Sequence, residues 1–393
     1  MAARKTLLFC SLTLLLLVFL GPLPSPGADS EPAGGLGAGD VPQAEKGESP
    51  GPKYDDCARF IAGLSTPGSS LADYEKKPAW VKFAASMNQS WEKFDQRQLA
   101  PMREWASREL GSAGTSTVFY PFSGPDFINI YTLFPRAHTY LLVALEPVGA
   151  LPDFAALDLQ DFFASLQRSL SVYLSIDYFA TARMATQIGQ TQLKGVLPLL
   201  LFFLAREHAR VLDVRYWLMK PDGAIEEQPA TGERNPGPGV PGLRIVFAGA
   251  GAAEKQTLYY FQLNLQNNSF GRNPQFASFL KGFGPLTAFT KSASYLLFSR
   301  YSADIRQFIL NRSRYVLQDD SGIPLKDFDP AVWNLRFYGT YTAPFRLFKN
   351  RYQPDLAAAY KSGKDVYPLP FGIGYRYRVG TSNLLFAARK TGD

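Results

Sequence analysis

The spacing of apolar side chains along the chain predicts several helices. Between residues 73 and 110, large apolar side chains recur every three or four positions, which is typical of helices with one buried face. A second stripe with this period begins at Leu157 and predicts a long helix. The apolar segment 196–205 is too short to span a bilayer and predicts a helix buried within the protein. A further helix is expected over 291–312.

Other segments have the alternation or the short apolar runs of β-strands. These segments are 116–122, 138–149, 210–220, 244–265, 332–340 and 367–379. A turn and a short helix are expected at 123–134, because Pro125 suits a first helical turn. Gly249 and Gly251 follow a strand, as in a dinucleotide-binding turn, but Glu254 occupies the third glycine position. We therefore expect a hairpin there rather than a phosphate-binding loop.

The order of the predicted elements is similar in two parts of the chain. In one ungapped alignment of the two long helices, Ser171 meets Ser294 and Arg183 meets Arg306. Similarity at a fixed offset predicts an internal duplication, and chance similarity between amphipathic helices is the alternative explanation. The expected fold is α+β, with two related α/β lobes about a pseudo-two-fold axis and an N-terminal helical extension.

Composition and apolar pattern together suggest where the segments of the chain begin and end. Residues 28–53 are rich in Gly, Pro, Ala and Glu and contain no aromatic side chain, which is typical of a flexible linker. The expected segments are a signal peptide 1–27, the linker 28–53, a helical extension 54–116, a first lobe 117–242, a second lobe 243–345 and a β-rich tail 346–393 packed on the lobes.

The first residues have the pattern of a secretory signal. Arg4 and Lys5 precede an apolar run at 6–20, and small residues at 25–27 suit cleavage. The alternative is a membrane anchor, but the run is short for a bilayer span. We expect an exported protein of the periplasm or the extracellular space, starting near residue 28 and without a transmembrane span after cleavage.

Charge and residue usage exclude some functional classes. The net charge is +7, yet no basic run exceeds Lys76 and Lys77, which argues against a nucleic-acid binder. With Cys10 removed, Cys57 has no disulfide partner and is expected to be an inert or partner-exposed thiol. The two histidines lie far apart in the sequence, without a cysteine or acid cluster, so no metal site and no cofactor is expected.

Residues 315–324, YVLQDDSGIP, carry the densest polar chemistry in the chain. The neighbouring carboxylates Asp319 and Asp320 suit acid–base chemistry or a divalent cation, and the same residues suit a turn. Because the matching segment of the first lobe makes its turn without acids, we expect a division of roles. One carboxylate accepts backbone amides of the turn, and the other faces a cleft near Lys291 or an arginine.

Several strings resemble an uncharacterised family of exported bacterial proteins over roughly residues 75–380; they are YPFSGPDF, LEPVG, KSASYLLF, IRQFIL, QDDSGIP and LPFGIGY. The resemblance implies export and a bacterial source, and no activity. Because no catalytic set of residues assembles in the sequence, we expect a non-catalytic binding or envelope-associated protein with a polar or anionic envelope ligand. The alternative is a hydrolase-like or lyase-like enzyme with its site in an inter-lobe cleft. The candidate residues of that cleft are Asp126, Arg183, Lys291, Arg306, Asp319 and Asp320.

Overall fold

The computed structural model of the chain describes residues 54–176, 193–229, 238–251 and 254–390. All of them belong to one compact unit. Within these ranges, no helix combines the length and the apolar character needed to cross a bilayer. The predicted signal and linker, and Arg183, lie outside the described residues.

Strands from both predicted lobes belong to one sheet, in which groups from the two lobes interleave; the sheet has 11 strands in the described part of the chain. The strands are β1 (Thr117–Pro121), β2 (Thr139–Ala144), β3 (Arg210–Met219), β4 (Ile225–Gln228), β5 (Val240–Ala248), β6 (Lys255–Gln262), β7 (Leu286–Thr290), β8 (Ser313–Gln318), β9 (Trp333–Gly339), β10 (Val366–Tyr367) and β11 (Asn383–Arg389). Their order across the sheet is β10-β9-β11-β8-β7-β1-β2-β6-β5-β3-β4.

The middle of the sheet is parallel and both flanks are largely antiparallel. β8, β7, β1, β2 and β6 all run in the same direction. On one side β6, β5, β3 and β4 form antiparallel pairs, and on the other side β11 lies antiparallel between β8 and β9. The five parallel strands therefore end at one common edge of the sheet, which we call the carboxyl edge.

Helices cover both faces of the sheet. The first face carries α1 (Tyr54–Ile61), α2 (Pro78–Phe94), α3 (Ala100–Glu109), α4 (Phe127–Leu133), α5 (Leu159–Ile176) and α6 (Leu197–Arg206), and the second face carries α7 (Asn267–Phe270), α8 (Pro274–Lys281), α9 (Ala303–Arg312) and α10 (Pro354–Ser362). Because side chains alternate along a strand, Val118 and Tyr120 enter the first core while Phe119 enters the second. Burial on both faces explains the nearly continuous apolar runs of the central strands.

The direction of chain connection reverses between β1 and β7. From β1 the chain passes through α4 to β2 on one side, and from β7 it passes through α9 to β8 on the other side. Crossover connections between parallel strands have the same hand, so two crossovers that run in opposite directions along a sheet place their helices on opposite faces. Accordingly, α4 and α9 lie in different cores. In sheets of this kind, ligands bind outside the carboxyl ends of the strands at such a reversal.

The α+β class is confirmed, as are most predicted elements. α2 and α3 fill the helical region at 73–110, joined by a π-helical turn, Asp95–Leu99. The apolar segment at 196–205 is the buried helix α6, and β5 and β6 form the expected antiparallel hairpin. Cys57 is fully buried and burial raises the pKa of its thiol to about 12, in agreement with the expected inert thiol.

Some predictions on the later part of the chain were wrong. The helix expected at 291–312 begins only at Ala303, and Ser294 has a left-handed φ of 50° in the preceding loop. Its predicted counterpart Ser171 lies within α5, so this alignment does not join equivalent elements, and the structure does not confirm the duplication. Strand β5 crosses the predicted lobe boundary at residue 242. The tail has its main strand at β11, beyond the predicted 367–379, and also contains α10.

A candidate site at the carboxyl edge

A buried ion pair lies where β1 and β7 end. Asp126 follows β1 and Lys291 follows β7 directly, and Lys291 Nζ lies 2.8 Å from Asp126 Oδ2. Their side chains are only 4% and 1% exposed, respectively. Removal of two charges from water costs on the order of several kcal/mol per ion, and the attraction between the charges offsets this cost only in part. The pair therefore needs further hydrogen bonds to be stable.

Asp126 receives those hydrogen bonds from three neighbours. Its Oδ1 accepts from Tyr173 in α5 at 2.6 Å and from Asn129 in α4 at 2.8 Å. Its Oδ2 accepts from Tyr120 in β1 at 3.0 Å, in addition to the lysine. Lys291 Nζ also lies 5.5 Å from the ring centre of Tyr173. The carboxylate therefore ties β1, α4, α5 and the loop after β7 together.

Asp319, at the end of β8, holds two loops by accepting backbone amides. Its Oδ1 accepts from the amide and the hydroxyl of Ser321, and its Oδ2 accepts from the amide of Ser292 at 2.9 Å. Burial is the main cause that raises the pKa of Asp319 to about 7, and the charge of the neighbouring Asp320 is the second. The hydrogen bonds from Ser292 and Ser321 lower the pKa. This geometry matches the predicted carboxylate that holds the turn.

Asp320 has different partners from Asp319. Tyr295 and Asn383 donate to its two carboxylate oxygens, and Gln353 donates to its carbonyl. Burial raises its pKa, and the bonds from Tyr295 and Asn383 and the charge of Arg376 lower it. Asp320 lines a cavity of about 10 Å³, which is the size of one water molecule. The cation whose charge lowers the pKa of Asp320 is Arg376 rather than Lys291.

The loops at this edge contain strained backbone. After β7, Ser292, Ser294 and Tyr295 have φ values of 51°, 50° and 53°, and after β1 Phe122 has 61°. Each non-glycine residue in the left-handed region costs about 1–3 kcal/mol and persists only where its surroundings fix it. Here the Ser292 amide is held by Asp319 and the next amide, of Ala293, is held by the Ser321 hydroxyl. The carboxyl edge thus combines buried charge with strained loops.

Glu146, two residues beyond β2, is the site residue that our sequence interpretation did not include. Its side chain is fully buried, and neither carboxyl oxygen accepts a hydrogen bond of good geometry within the described part of the chain. A β-carbon at Gly124, in the loop after β1, would lie 3.6 Å from its Oε1. Burial raises the pKa of Glu146 to about 7, although the amides of Leu145 and Glu146 oppose the shift. Only its place in LEPVG, after a buried strand, could have indicated it.

Four of the six predicted residues, Asp126, Lys291, Asp319 and Asp320, follow the ends of neighbouring parallel strands. A β-carbon at Gly374 would contact both Asp319 and Lys291, so these two side chains are near each other. Arg306 is engaged elsewhere: its Nε lies 3.0 Å from Asp327 Oδ2 and its Nη1 donates to Leu297 O. Arg183 lies outside the described residues.

Substitution of Asp319 by asparagine tests whether its two loops depend on it. Because one oxygen becomes an NH₂ group, either Ser292 or Ser321 loses an acceptor, and we expect a loss of about 1–3 kcal/mol in the free energy of unfolding. Asp329→Asn is the matched control, since Asp329 makes the same bond to the amide two residues ahead but is exposed. Urea unfolding should leave the control nearly unchanged. Equal effects of both substitutions would mean that Asp319 is an ordinary turn residue.

Within the described ranges, no group of three or more His, Cys, Asp or Glu side chains has an arrangement that could hold a metal ion. Comparison with known proteins finds no protein-family model, no curated protein and no solved structure that matches the chain.

Proposed function

We propose that the protein is an exported bacterial binding protein that holds a small polar ligand at the carboxyl edge of its sheet. The observation that carries the proposal is the buried carboxyl group of Glu146, which lies beside the loop of the Asp126–Lys291 pair and accepts no hydrogen bond of good geometry from the described residues. The large majority of buried side-chain polar atoms have a hydrogen-bond partner, so an exception at the usual ligand position of such a sheet points to a ligand.

The state of the other acids favours binding over catalysis. Every carboxylate oxygen of Asp126, Asp319 and Asp320 already accepts at least one hydrogen bond from the protein. Groups satisfied in this way fix loops in place and are poorly available to a reacting substrate. In the described ranges, by contrast, neither carboxyl oxygen of Glu146 accepts a hydrogen bond of good geometry, so this acid is better placed to bind a ligand.

The balance of charge indicates which ligand suits the site. This edge carries the acids Asp126, Glu146, Asp319 and Asp320, and two cations act on them: Lys291 pairs with Asp126, and Arg376 lowers the pKa of Asp320. A ligand with a protonated amine would pair with an ionised Glu146 and would lower its raised pKa. The cavity beside Asp320 has the size of one water molecule, and Glu146 is fully buried next to the loop after β1. A ligand therefore reaches Glu146 when the loops after β1 and β2 separate.

An enzyme that uses acid–base chemistry is the second candidate. It is favoured by the pKa of about 7 for both Glu146 and Asp319, since such values suit proton transfer near neutral pH. The two candidates differ in what happens to the ligand. A binding protein releases its ligand unchanged, whereas an enzyme yields a product of different mass.

The test of the proposal is thermal unfolding with small amines, namely ammonium, methylammonium and free lysine. At about ten times Kd, a ligand adds about 1.4 kcal/mol of stability, and we expect the midpoint of wild-type unfolding to rise by about 2 °C. Glu146→Gln should abolish the rise because it removes the carboxylate and keeps the shape. Mass spectrometry of the amine after incubation then separates binding from turnover.

Glu92→Gln provides the control, because Glu92 is an exposed glutamate on α2. It should respond to the amines as the wild type does. If amines raise the unfolding midpoint equally in the wild type, Glu92→Gln and Glu146→Gln, they do not act at Glu146 and the proposal is rejected. The absence of any rise in the wild type would reject the amine as the ligand class.

A further inference from the structure

A basic groove lies at the opposite edge of the sheet, where β7 and β8 begin and β11 ends. Its volume is about 420 Å³, within the range of small-molecule sites. The residues that line it are Pro285, Asn311, Arg312, Ser313, Arg314, Arg389 and Lys390. Four of these seven carry a positive charge and none carries a negative charge, so the groove is an electropositive surface.

The four cations of the groove, Arg312, Arg314, Arg389 and Lys390, form no ion pair with a carboxylate in the described part of the chain. This distinguishes them from cations such as Arg215, which contacts both Asp213 and Glu227. Like charges concentrated in one concave surface repel one another, and an anion relieves that repulsion. Their arrangement therefore favours a negatively charged ligand.

One of these cations is fixed in position by the protein. Arg389 donates to the carbonyls of Ser313 and Leu310, and its guanidinium lies 4.7 Å from the ring centre of Trp333. A guanidinium held by carbonyls and an aromatic ring loses little freedom when it binds an oxyanion. The groove is thus partly organised before any ligand arrives.

Two buried polar atoms in the groove wall lack partners. Ser313 is 1% exposed, and its hydroxyl has no hydrogen-bond partner in the described ranges. The Nε of Arg312 is likewise buried without a partner, although its Nη2 donates to the carbonyl of Lys281 at 3.3 Å. A serine hydroxyl beside arginine N–H groups is the usual set of donors for a phosphate-type oxyanion.

We propose that this groove is a binding site for a phosphate-type oxyanion, carried either by a soluble phosphate ester or by an anionic lipid headgroup. Ser313 and Arg312 supply hydrogen bonds from the wall, Arg389 supplies a fixed charge, and Arg314 and Lys390 supply exposed charges at the rim. The site is independent of the acidic carboxyl edge, since the two differ in charge and lie at opposite ends of the parallel strands.

The experiment measures binding of inorganic phosphate and glycerol phosphate by calorimetry, and of phosphatidylglycerol vesicles by sedimentation. The test variant is Arg314→Gln with Lys390→Gln, because both side chains are exposed and their loss should not impair folding. We expect the double variant to bind the phosphate probes about tenfold more weakly than the wild type, and we expect this binding to depend less on salt concentration. The control pair Lys82→Gln with Lys93→Gln changes the net charge equally on exposed positions of α2.

Ser313→Ala gives an independent readout, since it removes a neutral donor. The Ser313→Ala variant should bind the same probes about threefold more weakly or worse, while the salt dependence of binding stays as in the wild type. Binding of the soluble esters supports a soluble ligand, and binding of vesicles alone supports a lipid headgroup. If neither probe binds the wild type, or if the test and control pairs lose affinity equally, the groove is not an oxyanion site.

Discussion

Replacement of Lys291 by methionine is expected to lower the free energy of unfolding by about 3–5 kcal/mol, the largest single effect we predict. The substitution leaves Asp126 as a buried carboxylate without its cation, although Tyr120, Asn129 and Tyr173 still donate to it. Because methionine is close to lysine in volume, the loss reports the unpaired charge rather than a cavity. Urea unfolding near neutral pH measures it.

The double variant Asp126→Leu with Lys291→Met separates charge from packing. Replacement of a whole buried ion pair by apolar residues is often nearly neutral, so the double variant should lose less than the sum of its single variants. Lys76→Met is the matched control, since Lys76 pairs with Asp73 at the same 2.8 Å but on the exposed surface. It should leave stability nearly unchanged. Equal losses in the buried and exposed variants would contradict our account of the pair.

The sequence predicted the elements of this fold better than their assembly. Helical period and strand alternation identified α2, α5, α6 and the β5–β6 hairpin, because burial on one or two faces leaves a local pattern. The reversal between β1 and β7 is a long-range property that no local pattern carries. Residues 291–302 do not form the expected α-helix and contain only two short 3-10 helices, Leu296–Phe298 and Arg300–Ser302. Asp319 and Ser321 bind the amides at the start of this segment, where the backbone is left-handed.

The candidate site was predicted in part for the same reason. Asp319 and Asp320 were visible as a dense polar string, and Asp126 as an acid after a strand. Glu146 was missed because a single glutamate after a strand normally faces water, and only tertiary packing buries it. The basic groove combines residues of β8 and β11 that are far apart in the chain, so a search for basic runs does not find it.

The dependence of stability on pH gives a second large effect, and it arises from Glu146. Its pKa rises from an ordinary 4.5 to about 7 in the folded protein because of burial. Between these values the folded state retains a proton that the unfolded state has lost, so stability from this group falls as the pH rises. At and below about pH 4.5 the group has no effect, and above about pH 7 its full cost of about 3 kcal/mol is present.

Glu146→Gln isolates this contribution, because glutamine is neutral at every pH and has the shape of the protonated acid. We expect the variant to match the wild type near pH 4.5 and to exceed it by about 3 kcal/mol near pH 8. Asp319 and Glu207 also have pKa values raised to about 7. Both residues are present in the wild type and in the variant, so their contributions cancel when the two free energies of unfolding are subtracted. Urea unfolding across this range measures the difference, with the exposed Glu92→Gln as control. A difference that does not change with pH would mean that Glu146 ionises as easily in the folded protein as in the unfolded chain.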